Sequence, residues 1–102
     1  MENSERMAIA TTIVNQINHG DPYALMAWGA EHFTALCPDD EFQGGLSFLV
    51  NGLIHKGWVR IQLRWVDDYT ISFINKNHEV VKTYEGIYCD QLVQIVDFVE
   101  GK

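Results

Sequence analysis

The side chains best suited to chemistry are two cysteines and four histidines: Cys37, Cys89, His19, His32, His55 and His78. Metal binding needs ligands that converge on one ion, and spacings such as CxxC, HxxxH or HExxH achieve that locally. No pair here has such a spacing, and His32 and Cys37 stand five positions apart at the end of an expected helix. No metal and no other cofactor is expected. The cysteines lie 52 positions apart and neither belongs to a CxxC pair, so both are expected to be free and packed. Cys37 precedes Pro38 and gains nothing from a helix start. Cys89 falls near the start of the last helical segment, where a thiolate is favoured. A small thiol enzyme using Cys89, with His32 or His78 brought near by the fold, is one reading. The plainer reading is a small buried apolar side chain.

Other catalytic patterns do not occur in the sequence. There is no GxSxG, and Gly44-Gly45 and Gly52 do not build a GxxxxGK[ST] or GxGxxG phosphate loop. Asp67-Asp68 reads as a hairpin turn without a facing carboxylate for acid–base work. The run Asp39-Asp40-Glu41 lacks the alternating oxygen ligands and the glycine of a calcium loop and reads as a solvated loop.

The most unusual pattern lies on one strand. Trp58, Arg60, Gln62 and Arg64 alternate with Val59, Ile61, Leu63 and Trp65, so the first set shares one face and the second set the other. Thr70, Ser72 and Ile74 continue the first face on the next strand. Tryptophan and arginine are the residues that most often anchor interfaces. Trp58, Arg60, Gln62 and Arg64, with the acidic residues Asp39, Asp40 and Glu41, are the expected binding surface. Aromatic and arginine side chains on an open sheet also stack single-stranded bases, which makes a single-stranded nucleic-acid module the alternative use of Trp58, Arg60 and Arg64. A plainer account has Trp58 covering the sheet edge and both arginines paired with surface acids.

These residues need elements to position them. Ile9, Ile13, Val14 and Ile17 have helical spacing from Met7 to His19, and Gly20 suits the end of that helix. Asp21-Pro22 restarts a helix, carried by Leu25, Met26, Trp28, Gly29 and Phe33 and fading by Leu36 before Pro38. The stretch from Cys37 to Gly45 is a loop. Strands are expected over Leu46–Val50, Trp58–Trp65, Tyr69–Asn75 and Glu79–Tyr84, with turns at Asn51-Gly52, Asp67-Asp68 and Asn75 to His78. Gly86 breaks the fourth strand. A last helix runs from Cys89 to Glu100 on the stripe Tyr88, Leu92, Ile95, Val96 and Val99. Short turns make consecutive strands antiparallel neighbours. The expected fold is α+β: two N-terminal helices, a four-stranded antiparallel meander sheet and a C-terminal helix, in a single domain over 1–102.

The chain has 102 residues, 47% of them hydrophobic, enough for one core and too few for two. Fourteen acids against seven bases give a net charge of −7. That balance disfavours nonspecific nucleic-acid binding, which needs clustered lysine and arginine. It favours solubility, or an acidic face that imitates phosphates and blocks a basic groove. No window of about 18 apolar residues is present to span a membrane, and the polar start Met1 to Met7 is unlike a signal peptide, so a cytoplasmic location is expected.

The string Leu25-Met26-Ala27-Trp28-Gly29-Ala30-Glu31-His32-Phe33 resembles the helical opening of a group of small phage and prophage proteins. Leu46-Ser47-Phe48, Val59-Arg60-Ile61-Gln62-Leu63 and Asp68-Tyr69-Thr70-Ile71-Ser72-Phe73 continue the likeness, and Glu85-Gly86-Ile87-Tyr88-Cys89-Asp90-Gln91-Leu92 closes it. The first twenty or so residues and the acidic loop depart from that group. The resemblance implies an origin in a mobile element and carries over no activity and no catalytic residues. With size, acidity and the lack of catalytic motifs, it leads to the expectation of a non-enzymatic protein that binds a host protein or complex. An inhibitor of a nucleic-acid-handling complex, such as a CRISPR effector, is one concrete member of that class. A homodimer formed through a sheet edge is compatible with it.

Overall fold

A computed structural model describes residues 2–52 and 54–100, so both ends of the expected 1–102 domain lie outside the described residues. The chain opens with helix α1 (Glu2–Gly20), followed by a single helical turn, α2 (Ala24–Ala27). Five strands follow: β1 (Glu31–Leu36), β2 (Phe42–Asn51), β3 (Lys56–Arg64), β4 (Tyr69–Asn75) and β5 (Val80–Ile87). They form one antiparallel sheet in the order β1-β2-β3-β4-β5. The chain closes with a 3₁₀ turn (Cys89–Gln91), helix α3 (Leu92–Val96) and a second 3₁₀ turn (Asp97–Glu100). The fold is α+β, with an N-terminal helix, a five-stranded meander and a short C-terminal helix.

The main correction concerns residues 31–36, expected as the second half of a helix. They form edge strand β1, which pairs Thr34 with Ser47, Ala35 with Leu46 and Leu36 with Gly45. The cause is Gly29, whose φ of +64° places it in the left-handed region that ends helices. Ala27, Trp28 and Gly29 donate their N–H groups to Tyr23, Ala24 and Met26 carbonyls in a tight terminal turn. Beyond it the backbone is free to extend. Asp21 supports the turn before α2 by accepting the Tyr23 N–H at 3.0 Å.

The core lies between the helices and one face of the sheet. Leu46, Phe48 and Val50 of β2, Val59 and Ile61 of β3, and Ile71 and Phe73 of β4 are buried there with Ala10, Ile13 and Ile17 of α1. Leu92, Val96 and Val99 complete the layer from the C-terminal segment. Ile9, Ile13 and Ile17 fall four apart, which brings them onto one side of α1. Much of α1 is β-branched and intrinsically a weak helix former, so its stability comes from that packed side.

Trp28 ties three elements together. Its ring is buried and stacks on Phe48 with centroids 6.3 Å apart and planes 7° apart. Its indole N–H donates to Asp97 Oδ1 at 3.0 Å, and its carbonyl accepts the Asn51 N–H at 2.9 Å.

Four smaller expectations are corrected. Trp65, expected inward, lies in the β3–β4 turn and is 58% exposed, because Arg64 closes the ladder by bonding Asp68. Tyr88, expected on the buried helical stripe, precedes the 3₁₀ turn and is exposed. Phe33, expected on a buried helix side, projects from edge strand β1 and is partly exposed, touching Phe48 at 5.5 Å. Gly86 lies within β5, where φ of +68° and a register shift kink the strand without ending it. Among the described residues no helix is long and apolar enough to cross a membrane.

Phe48→Ala removes the ring that meets both Trp28 and Phe33. It is expected to lower stability by about 3–5 kcal/mol, read as a lower urea midpoint at unchanged slope.

Candidate functional site

The helices pack on one sheet face, and the opposite face carries the side chains singled out in the sequence. Trp58 stands opposite Leu49 and Ile74, Arg60 opposite Ser47 and Ser72, and Gln62 opposite Gly45 and Thr70. Every long β3 residue is thus set against a short or branched β4 residue. The long side chains overlie the short ones: Thr70, Ser72 and Ile74 are buried, whereas Trp58, Arg60 and Gln62 are half-buried. Trp58 is on a central strand and covers β4 rather than the sheet edge.

The two arginines behave differently. Arg64 is committed to its own hairpin: Nε donates to Asp68 Oδ1 at 2.6 Å and Nη2 to Asp68 Oδ2 at 3.2 Å. This two-point pairing fixes a planar guanidinium against a buried carboxylate, with the Arg64 side chain still 39% exposed. Arg60 has no ion-pair or hydrogen-bond partner among the described residues.

The acidic loop, far from β3 in sequence, borders the same face. Asp39, Asp40 and Glu41 line a shallow cavity of 450 Å³ together with Arg60 and Gln62. The loop is held in place from two sides. Asp39 Oδ1 accepts the N–H groups of Glu41 and Phe42 at 2.8 Å each, and the Asp39 carbonyl accepts the Trp65 indole N–H at 3.1 Å. Gln43 adds bonds to the Arg64 carbonyl and to Asp67 Oδ1 at 2.9 and 3.0 Å. Arg60 also borders a second cavity of 420 Å³ on its other side, walled by Trp58, Leu36, Ile74, Ser47, Thr34 and His78. Arg60 therefore stands between an acidic hollow and an aromatic one. His78 reaches this surface from the β4–β5 turn, where its φ is +65°, and its spacing gave no hint of that.

The cysteines are both free and both exposed, against the expectation that they pack inside. Cys89 lines a 500 Å³ groove between the end of α1 and the C-terminal segment, with Thr12, Asn15, Gln16, His19 and Asp90. The histidine in that groove is His19, not His32 or His78. His32 lies at the bulge of β1, 4.0 Å from Glu31. His55 is a core residue whose ring meets Phe73 edge-on at 5.4 Å, with Nε2 3.2 Å from the Trp58 carbonyl. Among the described residues no three histidine, cysteine or acidic side chains gather closely enough to hold a metal ion.

Beneath the groove, the Tyr69 hydroxyl donates to Gln16 Oε1 at 2.7 Å. Burial pushes this phenol above its ordinary 10.0; the Gln16 hydrogen bond pulls the other way, and the nearby Cys89 and Asp67 add to the rise.

No protein-family model, no curated protein and no solved structure matches this chain.

Because the Tyr69 value is higher in the folded state than in the unfolded one, its contribution to stability is complete below about pH 10 and is lost as the pH climbs through the folded value. The difference in phenolate absorbance between the wild type and Tyr69→Phe is expected to rise above pH 10.0 in native protein. In urea it should move down to the ordinary value.

Proposed function

We propose that this protein is a non-enzymatic binding protein of the phage or mobile-element type, which docks on a host protein or complex through the bare face of its sheet. The observation that carries the reading is Arg60, unpaired among the described residues and half-buried between Trp58 and the Asp39–Glu41 loop. A half-buried arginine beside a tryptophan has the make-up of an interface anchor. A mixed-sign surface of this kind selects a partner by charge complementarity. The net charge of −7 supports a target with a basic groove that handles nucleic acid, with inhibition as the outcome of docking.

The single-stranded nucleic-acid reading gains little here. Arg64 is tied to Asp68, and the cavity next to Arg60 is lined by three carboxylates, which repel a phosphate chain. The Cys89 groove supports a thiol enzyme only through the presence of His19. Under the binding reading, Cys37 and Cys89 alkylate no faster in the folded chain than in urea. Accelerated labelling of Cys89 that depends on His19 would favour catalysis instead.

The test is a tagged pull-down from bacterial lysate, with and without nuclease, read by mass spectrometry. One dominant protein should survive nuclease, and Trp58→Ala should weaken its capture by at least about 30-fold. Loss of all captured material on nuclease treatment would overturn the proposal.

A further inference from the structure

The bare face lines up one polar row across all five strands. Thr34 stands opposite Ser47, Ser47 opposite Arg60, Arg60 opposite Ser72, and Ser72 opposite Thr83. Directly opposed residues on one face have Cβ atoms about 4.5–5.5 Å apart, so a hydroxyl flanks Arg60 on each side. Ser72 and its neighbour Thr70 are only 6% and 7% exposed. Neither hydroxyl makes a side-chain hydrogen bond among the described residues, and neither does the Trp58 indole N–H. Of these groups the Trp58 side chain lines the 420 Å³ cavity, together with Ser47 and Arg60. The volume falls within the range of pockets that take a small ligand or a single side chain.

We propose that this row is a receptor for one carboxylate, carried on an aromatic or apolar body and supplied by the docking partner. The inference rests on the reading of the bare face as the docking surface. The Arg60 fork offers two parallel N–H donors, which match the two oxygens of a carboxylate, and Ser47 offers a further O–H donor in the same cavity. Trp58, Leu36 and Ile74 wall the rest of the cavity and suit the apolar body. A single guanidinium matches a single negative charge. Asp39, Asp40 and Glu41 border Arg60 on the far side and disfavour a phosphate dianion or a phosphodiester chain. The same acids favour a basic residue next to the carboxylate in the partner.

The experiment is amide-shift mapping by NMR on the full chain with four probes. N-acetylphenylalanine presents a chain-terminal carboxylate, and N-acetylaspartyl-phenylalaninamide presents a side-chain carboxylate. N-acetylphenylalaninamide presents neither, and inorganic phosphate presents a dianion. At least one carboxylate probe should shift Ser47, Arg60 and Ser72, and the stronger of the two identifies the source. Removing the charge from the probe, or substituting Arg60→Gln, should weaken binding by about tenfold or more. Arg60→Lys, which keeps the charge and loses the fork, should fall between. Equal response to the amide probe, equal or stronger response to phosphate, shifts elsewhere, or binding that survives Arg60→Gln overturns the inference. The spectra themselves report whether each variant folds. Partner capture separates the two levels. Capture lost in Trp58→Ala but kept in Arg60→Gln leaves the docking surface and removes its carboxylate. Capture kept in both removes the docking surface as well.

Discussion

One layer of helix can cover one face of a sheet, and this constraint organises the molecule. Residues of β2, β3 and β4 alternate, so their apolar members all reach the side where α1 and the C-terminal segment lie. The covering layer is held at its far end by Trp28, which stacks on Phe48, bonds Asp97 and accepts from Asn51. Among the described residues no second helical layer meets the remaining alternate positions. Whatever chemistry the sequence places there is displayed outward, and on β3 that chemistry is Trp58, Arg60 and Gln62.

The bare face is not a uniformly solvated surface. Pairing each long β3 side chain with a short or branched β4 partner buries the Thr70 and Ser72 hydroxyls, which make no side-chain hydrogen bond among the described residues. The acidic loop, fixed by Trp65 and by its own Asp39 turn, meets Arg60 from the side. Charge of both signs, an indole face and the Ser47 hydroxyl occupy one stretch of sheet. Such a surface suits a specific partner better than a repetitive polyanion, because each contact demands a different chemical group.

The parts of this arrangement that were legible in sequence are those written by local periodicity. The alternation from Trp58 to Arg64 gave β3 and its two faces, Tyr69 to Asn75 gave β4, and Asp67-Asp68 gave the turn between them. Leu92, Val96 and Val99 announced the buried side of the last segment. Strand β1 was hidden because Leu25, Trp28 and Phe33 fall at helical spacing, while a single left-handed glycine, Gly29, ends the helix between them. Relations across the chain were hidden for a different reason. That Arg64 serves Asp68 whereas Arg60 does not, that residues 39–41 meet β3, and that His19 shares a groove with Cys89 all depend on register and loop closure. Spacing along the chain does not encode these.

The proposed docking face is the one that carries Trp58. Site-directed photo-crosslinking in living bacteria tests it directly, with benzoylphenylalanine introduced in place of Trp58 in one strain and of Met26, which is 80% exposed on the helical side, in another. One discrete protein adduct is expected from position 58 and none from position 26. An adduct from position 26 alone, the same adducts from both, or none from position 58 would contradict that expectation.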